Sequence, residues 1–170
     1  MITVSKTKLP GVLLIKPDVF KDFRGVYVET YNEALYKKKG IKVAFVQDDY
    51  SASKKNVLRG IHGDKKTYKL ISCSYGEFYF VVVNCDKKSK YFGKWQSFII
   101  SSENRWQVLV PPNHGNAHLV LKDWSVFNYK QSTYYNPKSQ FSYKWNDPIF
   151  KVTWPIKNPI LSLRDKNSNI

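Results

Sequence analysis

The stretch KLISCSYGEFYFVVVNCD, residues 69–86, has the composition of β-structure. Its two apolar runs are rich in β-branched and aromatic residues, which favour strands, and they are broken at Tyr75-Gly76. The glycine predicts either a hairpin or a bend between two strands. Further runs that predict strands lie at residues 11–15, 25–30, 94–101 and 105–112. Many short strands in succession, without helices between them, predict an all-β sandwich or barrel.

The clearest alternation of polar and apolar residues lies in SVFNYKQSTYY, residues 125–135. Side chains two residues apart in a strand share a face of the sheet. One predicted face therefore consists of Phe127, Tyr129, Thr133 and Tyr135. If the strands close into a barrel, its mouth is a common place for a small-molecule site.

Two short helices complete the prediction. NEALYKKKG begins with Asn32 as a candidate N-cap and ends at Gly40, with lysines in its last turn. The tail NPILSLRDKNSNI predicts a last helical turn near Ser162 and Asp165. Because neither a repeat nor a low-complexity linker interrupts the sequence, we expect a single domain over residues 1–170.

The chain is strongly basic, with 28 Lys and Arg against 13 Asp and Glu, a net charge of +15. A nucleic acid or a phosphorylated small molecule could match this charge, but most lysines are expected to form a solvated surface. The lysine runs are too short for a nucleic-acid tail, and the sequence shows neither a signal peptide nor a membrane span. We therefore expect a cytoplasmic protein that binds neither nucleic acid nor membrane. Its two cysteines, Cys73 and Cys85, are expected to be buried free thiols.

All three histidines lie in two glycine-containing segments: His62 in RGIHGD, and His114 and His118 in PPNHGNAH. Three imidazoles from two strands could bind a divalent metal ion. Two features argue against it: Asp64 is the only carboxylate near His62, and a segment that starts Pro-Pro does not form a helix face. We therefore favour a site without metal.

The favoured interpretation of these histidines is acid–base catalysis. A histidine titrates near neutral pH and can take a proton from carbon when it is held against a substrate. A carboxylate, either Asp64 or Asp165, could orient its second nitrogen. From the opposite wall, Tyr129 could return a proton, and Lys69 or Arg59 could stabilise an oxyanion.

Six segments, in the same order along the chain, resemble those of the dTDP-4-dehydrorhamnose 3,5-epimerase family. They are DFRGVYVETYN, FVQDDYSASKKNVLRGIH, YKLISCSYGEFYFVVVNCD, VPPNHGNAH, NYKQSTYY and WPIKNPILSLRD. The resemblance covers nearly the whole chain. Within the family, the patterns VLRGIHGD.KTYKL and PPN.GN.H are similar to those of the GDP-4-keto-6-deoxy-heptose epimerases of bacterial capsule synthesis.

The resemblance implies a cupin-type jelly-roll barrel of two antiparallel sheets, with one or two short helices. It also implies a homodimer that needs no metal and no cofactor. The expected reaction is epimerisation at C3, C5 or both of a nucleotide-diphosphate 4-keto-6-deoxy sugar through an enolate. A GDP-linked heptose is the expected substrate, and the sequence leaves open which carbons are inverted, the exact sugar and the choice between GDP and dTDP.

The resemblance also implies roles for individual residues. His62 matches the general base, Asp165 the carboxylate that orients it, and Tyr129 the acid on the other face of the sugar. Lys69 and Arg59 match cations near the enolate oxygen and the phosphates.

Further residues match substrate contacts of the family. Arg24 and Glu29 match a strand that contacts the nucleotide diphosphate and that can come from the partner subunit. Gln47 matches a base or ribose contact. Asp49 stands where the rhamnose branch commonly has asparagine and could accept from a guanine N–H edge. Tyr135, which shares the predicted face of Tyr129, is a further candidate.

The segment PPNHGNAH departs from the rhamnose branch. Asn116 stands where that branch has a histidine, which implies rearranged pyrophosphate contacts. His118 shares a face with Asn116 in an extended segment, where it is either a substrate contact or structural. Gly60 and Gly63 are expected to let the sugar approach the backbone.

Three alternatives stay open at this point. The first is a nucleotide-sugar 3,4-ketoisomerase on the same barrel. The second is a metal-dependent cupin enzyme that uses His62, His114 and His118. The third is a non-enzymatic basic module that binds sugar or nucleic acid, although the sequence lacks the aromatic and basic signature of single-strand binding.

Overall fold

The computed structural model describes residues 1–167 of the chain. Thirteen strands, two short α-helices and one turn of 3-10 helix follow one another in it. The helices are α1 (Glu33–Lys38) and α2 (Leu163–Asn167), and the 3-10 turn is Pro137–Ser139. The strands are β1 (Ile2–Lys6), β2 (Leu13–Pro17), β3 (Phe20–Asp22), β4 (Gly25–Tyr27), β5 (Gln47–Lys54), β6 (Leu58–Asp64), β7 (Lys69–Tyr75), β8 (Glu77–Asn84), β9 (Trp95–Ser101), β10 (Gln107–Val110), β11 (His114–Val120), β12 (Trp124–Gln131) and β13 (Gln140–Ser142).

Two antiparallel sheets form the body of the protein. One has six strands in the order β1-β2-β10-β7-β12-β5, and the other has five in the order β13-β6-β11-β8-β9. Their facing surfaces enclose a core to which the first sheet contributes Ile71 and Phe127, and the second Phe78 and Phe80. The predicted all-β architecture of two antiparallel sheets with short helices is therefore confirmed.

The break at Gly76 is a bend rather than a hairpin. Although β7 ends at Tyr75 and β8 begins at Glu77, the two strands belong to different sheets. Gly76 has φ +78°, and a Cβ there would lie 2.1 Å from the Trp124 carbonyl oxygen. Only glycine fits this close approach. Contact with the backbone of Trp124 therefore requires a glycine at the point where the chain crosses from one sheet to the other.

Four predicted strands differ by two residues or more from those observed, among them the run at 105–112, which is shortened to the four residues of β10. The run at 11–15 starts later, as β2, and the run at 25–30 is shortened to the three residues of β4. β12 ends at Gln131, so the prediction that Thr133 and Tyr135 continue its face is wrong. Beyond the strand, Ser132 donates its N–H to the Tyr68 carbonyl and the chain turns away.

The predicted helices are confirmed near both ends of the chain. The Asn32 side chain accepts from the Leu35 N–H at 3.1 Å, and Gly40 follows the end of α1 with φ +88°. The last turn of helix is α2; residues 168–170 of the predicted domain lie outside the described residues. Neither α1 nor α2 has the length or the apolar content to cross a bilayer.

Both cysteines are buried and free, as predicted. Burial raises the pKa of the Cys73 thiol and that of the Cys85 thiol to about 12. Because the thiolate is the reactive form, these residues act as small apolar side chains.

Candidate active site

A cavity of about 310 Å³ opens between the two sheets. Its volume falls within the range of ligand pockets, roughly 300–1,000 Å³. Seven predicted site residues line it: Arg59, His62, Lys69, Asn116, His118, Tyr129 and Asp165. They come from four strands and the C-terminal helix, so only the tertiary fold brings them together.

A bulge in β6 turns Arg59 and His62 to the same cavity. β11 pairs Asn116 with His62 but His118 with Arg59, so two residues of β6, at positions 60 and 61, lie opposite the single residue 117 of β11. The extra residue reverses the normal alternation of faces. Residues 59 and 62 therefore both line the cavity, although their odd spacing would separate them in a regular strand.

The C-terminal segment brings Asp165 to His62 across 103 positions of sequence. Leu58 donates its N–H to the Ile160 carbonyl at 3.0 Å, and Ile160 donates to the Asn56 carbonyl at 2.8 Å. This short bridge holds the segment beside the start of β6. α2 begins directly after it and places Asp165 Oδ1 2.6 Å from His62 Nε2.

The Asp165 carboxylate is held in place by further hydrogen bonds. Its Oδ2 accepts from the Ser162 hydroxyl at 2.8 Å, and its Oδ1 lies 3.4 Å from the Gly60 N–H. Burial raises the pKa of Asp165, but the bonds from His62, Ser162 and Gly60 outweigh it and hold that pKa below the usual value. Asp165 is thus ionised at neutral pH and accepts from His62 Nε2–H, which leaves Nδ1 as the basic nitrogen.

Tyr129 and Lys69 face His62 from the other sheet. Tyr129 lies on β12 and Lys69 on the neighbouring strand β7, with the Lys69 ammonium 5.6 Å from the centre of the Tyr129 ring. Burial raises the pKa of Tyr129, and the charge of Asp49 raises it further. Tyr129 therefore keeps its phenolic proton at neutral pH.

Burial lowers the pKa of Lys69, and this effect outweighs the opposing charges of Asp64 and Asp49. Its amine carries N–H donors in either protonation state. Arg59 on the opposite sheet donates from Nε to the Ser53 hydroxyl at 3.0 Å. The two basic side chains thus approach the cavity from both sheets, where they could stabilise a developing oxyanion.

The predicted shared face of Asn116 and His118 is confirmed, because both line the cavity. Asn116 donates from Nδ2 to the His62 carbonyl at 3.0 Å, which ties β11 to the backbone of the histidine. His118 is 4% exposed and stacks on Phe127, with ring centres 4.1 Å apart and planes 7° apart.

The two glycines beside His62 have a different role from the one predicted. A Cβ at Gly60 would lie 2.3 Å from Ala117 Cβ, and one at Gly63 would lie 2.1 Å from the Phe141 ring. Both contacts are with neighbouring strands of the same sheet. The glycines therefore permit close strand packing around His62, and the expectation that they serve approach of the sugar is wrong.

Asp64, the alternative partner of His62, is engaged elsewhere. Its carboxylate accepts from the Thr67 N–H at 3.0 Å and from the Ser139 hydroxyl at 2.8 Å. His114 also lies off the cavity, with its Nε2 3.3 Å from the Asn84 amide. The three histidines therefore do not converge, and residues 1–167 contain no group of three His, Cys, Asp or Glu side chains arranged to hold a metal ion.

Five predicted substrate contacts do not line the cavity: Arg24, Glu29, Gln47, Asp49 and Tyr135. Arg24 lies on the exposed β3–β4 hairpin, paired with Asp22 at 2.6 Å. Asp49 Oδ2 accepts from the side-chain amides of Gln47 and Gln131. Tyr135 is exposed and donates its N–H to Gln47 Oε1 at 2.8 Å.

Five further residues, for which the sequence predicted no site role, also line the cavity: Tyr50, Ser51, Phe127, Ser162 and Arg164. Ser162 had a local signal, because a serine three residues before an acidic residue is typical of a helix start. Arg164 donates from Nη2 to the Ser142 hydroxyl at 2.9 Å and so connects α2 to β13. Phe127 shares the predicted face of Tyr129, so the alternation in β12 also indicated its position. For Tyr50 and Ser51, only the pairing of the strands reveals the position.

Known proteins match this chain over nearly its whole length. A family model described as dTDP-4-dehydrorhamnose 3,5-epimerase matches residues 6–170. The dTDP-4-dehydrorhamnose 3,5-epimerase of Salmonella typhimurium is 41% identical over 170 residues, which cover 97% of this chain and 93% of the relative. The chain belongs to the dTDP-4-dehydrorhamnose 3,5-epimerase family. The predicted family and the prediction of an isomerase are therefore confirmed.

Solved structures of the family share the fold. The enzyme from Bacillus anthracis with TDP and PPi bound has a TM-score of 0.95 and 32% identity, covering 100% of this chain and 99% of its own. The dTDP-6-deoxy-D-glucose-3,5-epimerase from Legionella pneumophila, in complex with dTDP-4-keto-L-rhamnose, has a TM-score of 0.93 and 33% identity, covering 99% and 92%. These matches confirm the predicted cupin-type barrel.

One structural relative differs in the number of centres it inverts. A 3'-monoepimerase from Streptomyces bikiniensis, in complex with dTDP-quinovose, has a TM-score of 0.89 and 28% identity, covering 95% of this chain and 84% of its own. Single and double epimerases thus share this fold, so family membership leaves the number of inverted carbons open.

Proposed function

We propose that the protein epimerises a dTDP-linked 4-keto-6-deoxy sugar at C3, at C5 or at both carbons. The observation that carries the proposal is the placement of His62 and Tyr129 on opposite sheets, with both side chains on one cavity. Inversion at a carbon needs a base on one face of the sugar and an acid on the other. A ring bound between the sheets would have one group on each face.

The first step is removal of a proton by His62. A ketone at C4 makes the hydrogens on C3 and C5 acidic. His62 Nδ1 takes one of these protons, and the electrons of the C–H bond form an enolate with its charge on the C4 oxygen. Lys69 and Arg59 stabilise that oxygen, while Asp165 stabilises the imidazolium that forms.

The second step is return of a proton from the opposite face. Tyr129 donates its phenolic proton to the carbon, and the carbonyl at C4 is restored. The imidazolium then releases its proton to solvent and the phenolate regains one, which resets both groups. The hydrogen on the inverted carbon therefore comes from water.

The choice of nucleotide follows the relatives rather than the sequence-based expectation of a GDP-linked heptose. Each of the relatives described above carries dTDP or TDP in its name or its complex. The preference for guanine rested on Asp49. Its Oδ2 instead accepts hydrogen bonds from the side-chain amides of Gln47 and Gln131. These observations support dTDP, and no observation favours capsule heptoses.

We also infer a homodimer. All six residues of β3 and β4 are exposed, and Phe23 in the turn between them is 97% exposed. An exposed hairpin that carries several large apolar side chains, here Phe20, Phe23, Val26 and Tyr27, is typical of an interaction surface. Docking on a second copy would bury it and bring Arg24 to the partner. Light scattering should give twice the chain mass of 19.9 kDa, and an active monomer would contradict the inference.

The function is tested by incubating the protein with dTDP- and GDP-linked 4-keto-6-deoxy sugars in heavy water. NMR should show deuterium at C3, C5 or both, a new epimer whose ketone remains at C4, and faster reaction of the dTDP sugar. A ketone moved to C3 would identify a 3,4-ketoisomerase instead. Absence of deuterium from every substrate would refute the proposal.

A further inference from the structure

The C-terminal helix α2 is held on the protein by polar contacts rather than by an apolar face. Among its residues Leu163–Asn167, Asp165 is the one buried side chain, and the large apolar residue Leu163 is 78% exposed. A helix of this length is unstable on its own in water and takes its position from tertiary contacts. The bridge at Ile160 fixes the chain before the helix. The place of the Asp165 carboxylate therefore depends on the bonds that tie α2 itself to the strands beside it.

Two neighbouring side chains of α2 bond to two strands that are themselves paired. Asp165 meets His62 on β6, with the two atoms 2.6 Å apart, and Arg164 donates from Nη2 to the Ser142 hydroxyl on β13 at 2.9 Å. Ser142 and His62 are directly opposite each other in the pairing of β13 with β6. The two bonds thus anchor consecutive residues of the helix to one cross-strand pair, and the second bond stops α2 from turning about the first.

The orientation of the Asp165 carboxylate matters because it selects the basic nitrogen of His62. While Asp165 accepts from Nε2–H, the lone pair that can take a proton is on Nδ1. A carboxylate that swings away lets either nitrogen carry the proton, and an imidazole in the wrong tautomer cannot act as the base. Displacement of a catalytic group by about 1 Å can lower a rate by roughly 10²-fold.

We propose that Arg164 is a positioning residue, which holds Asp165 against His62 through its bond to Ser142. The proposal rests on the function proposed above and deepens it, because it adds an anchor to the pair of Asp165 and His62. Arg164 is exposed and lines the cavity, so a direct contact with the phosphates of the substrate would be a different role. Ser142 is buried and lies off the cavity, so a substitution there alters the anchor without altering a group that faces the substrate.

The test compares Arg164→Ala, Ser142→Ala and the double variant with the unmodified protein. Deuterium exchange on a dTDP-linked 4-keto-6-deoxy sugar measures kcat and KM. Each single substitution should lower kcat by about 3- to 10-fold, the range expected for the loss of one hydrogen bond, while the affinity for dTDP stays the same. Because both substitutions break the same bond, the double variant should lose no more than Arg164→Ala does.

The tautomer of His62 gives a readout that does not depend on turnover. In NMR spectra of the imidazole nitrogens, at a pH where the ring is neutral, the unmodified protein should carry the proton on Nε2. Both single variants should show a fraction with the proton on Nδ1. Lys166→Ala is the matched control, because Lys166 is an exposed residue of the same helix that lies off the cavity. It should equal the unmodified protein in kcat and in tautomer, and the Tm of every variant checks folding.

An unchanged kcat in Ser142→Ala would overturn the proposal, and so would a double variant whose loss is the product of the two single losses. Weaker binding of dTDP by Arg164→Ala alone would make Arg164 a phosphate ligand instead. Failure of the proposed function looks different: the unmodified protein would exchange no deuterium, but the change of tautomer in the two variants would still be seen.

Discussion

Replacing His62 by asparagine should lower solvent exchange at the carbons beside the ketone by about 10²–10⁴-fold, the usual contribution of general acid–base catalysis. The amide has no basic nitrogen, so it cannot take the proton. Asparagine can still donate a hydrogen bond to Asp165, which lies 2.6 Å from the imidazole, so the carboxylate keeps a partner. The measurement is deuterium uptake by NMR, with circular dichroism and dTDP affinity as checks of folding.

A matched control is the same substitution at His114, which lies off the cavity beside Asn84. His114→Asn should retain exchange close to that of the unmodified protein, once any loss of folded protein is corrected for. Retained exchange in His62→Asn would remove this residue from the role of base. Equal losses in both variants would point to a general effect on folding.

Replacing Tyr129 by phenylalanine should separate exchange from inversion. His62 can still remove a proton and return a deuteron to the same face, so exchange continues with the configuration retained. The proton from the opposite face is missing, so formation of the epimer should fall by about 10²-fold or more. Chiral analysis of the deuterated sugar, by NMR coupling constants, measures both outcomes in one sample.

Tyr135→Phe is the control for this variant, because Tyr135 is exposed and lies beyond the end of β12. It should leave inversion unchanged. Full inversion by Tyr129→Phe would show that another group supplies the second proton. Loss of exchange together with inversion would show that Tyr129 is needed for the first step.

Much of the fold could be predicted because local sequence patterns indicate where its strands and helices begin and end. The alternation around Tyr129, the cap at Asn32 and the break at Gly76 all mark real boundaries. The patterns did not show that β7 and β8 enter different sheets, because a glycine between two strands serves a hairpin and a bend equally. They also extended β12 to Tyr135, since alternation of side chains continues where the pairing with β5 and β7 has ended.

The site was less accessible to local reasoning. Acid–base chemistry at His62 could be inferred, but two carboxylates were possible partners, and only the bridge at Ile160 brings Asp165 into place. The bulge that turns Arg59 and His62 to one cavity interrupts the alternation of side chains along β6. The sequence alone would therefore place these two residues on opposite faces of the sheet. Nor does the sequence show that Gly60 and Gly63 accommodate neighbouring strands. A glycine that permits close strand packing and a glycine that permits close approach of a ligand are identical in the sequence.

In the proposed complex, the sugar lies between the imidazole of His62 and the phenol of Tyr129. The most direct test is a crystal structure of His62→Asn with a bound dTDP-linked 4-keto-6-deoxy sugar. We expect the side chains of residues 62 and 129 on opposite faces of the ring, each about 3–3.5 Å from C3 or C5. A sugar bound outside this cavity, or both side chains on one face of the ring, would contradict the account.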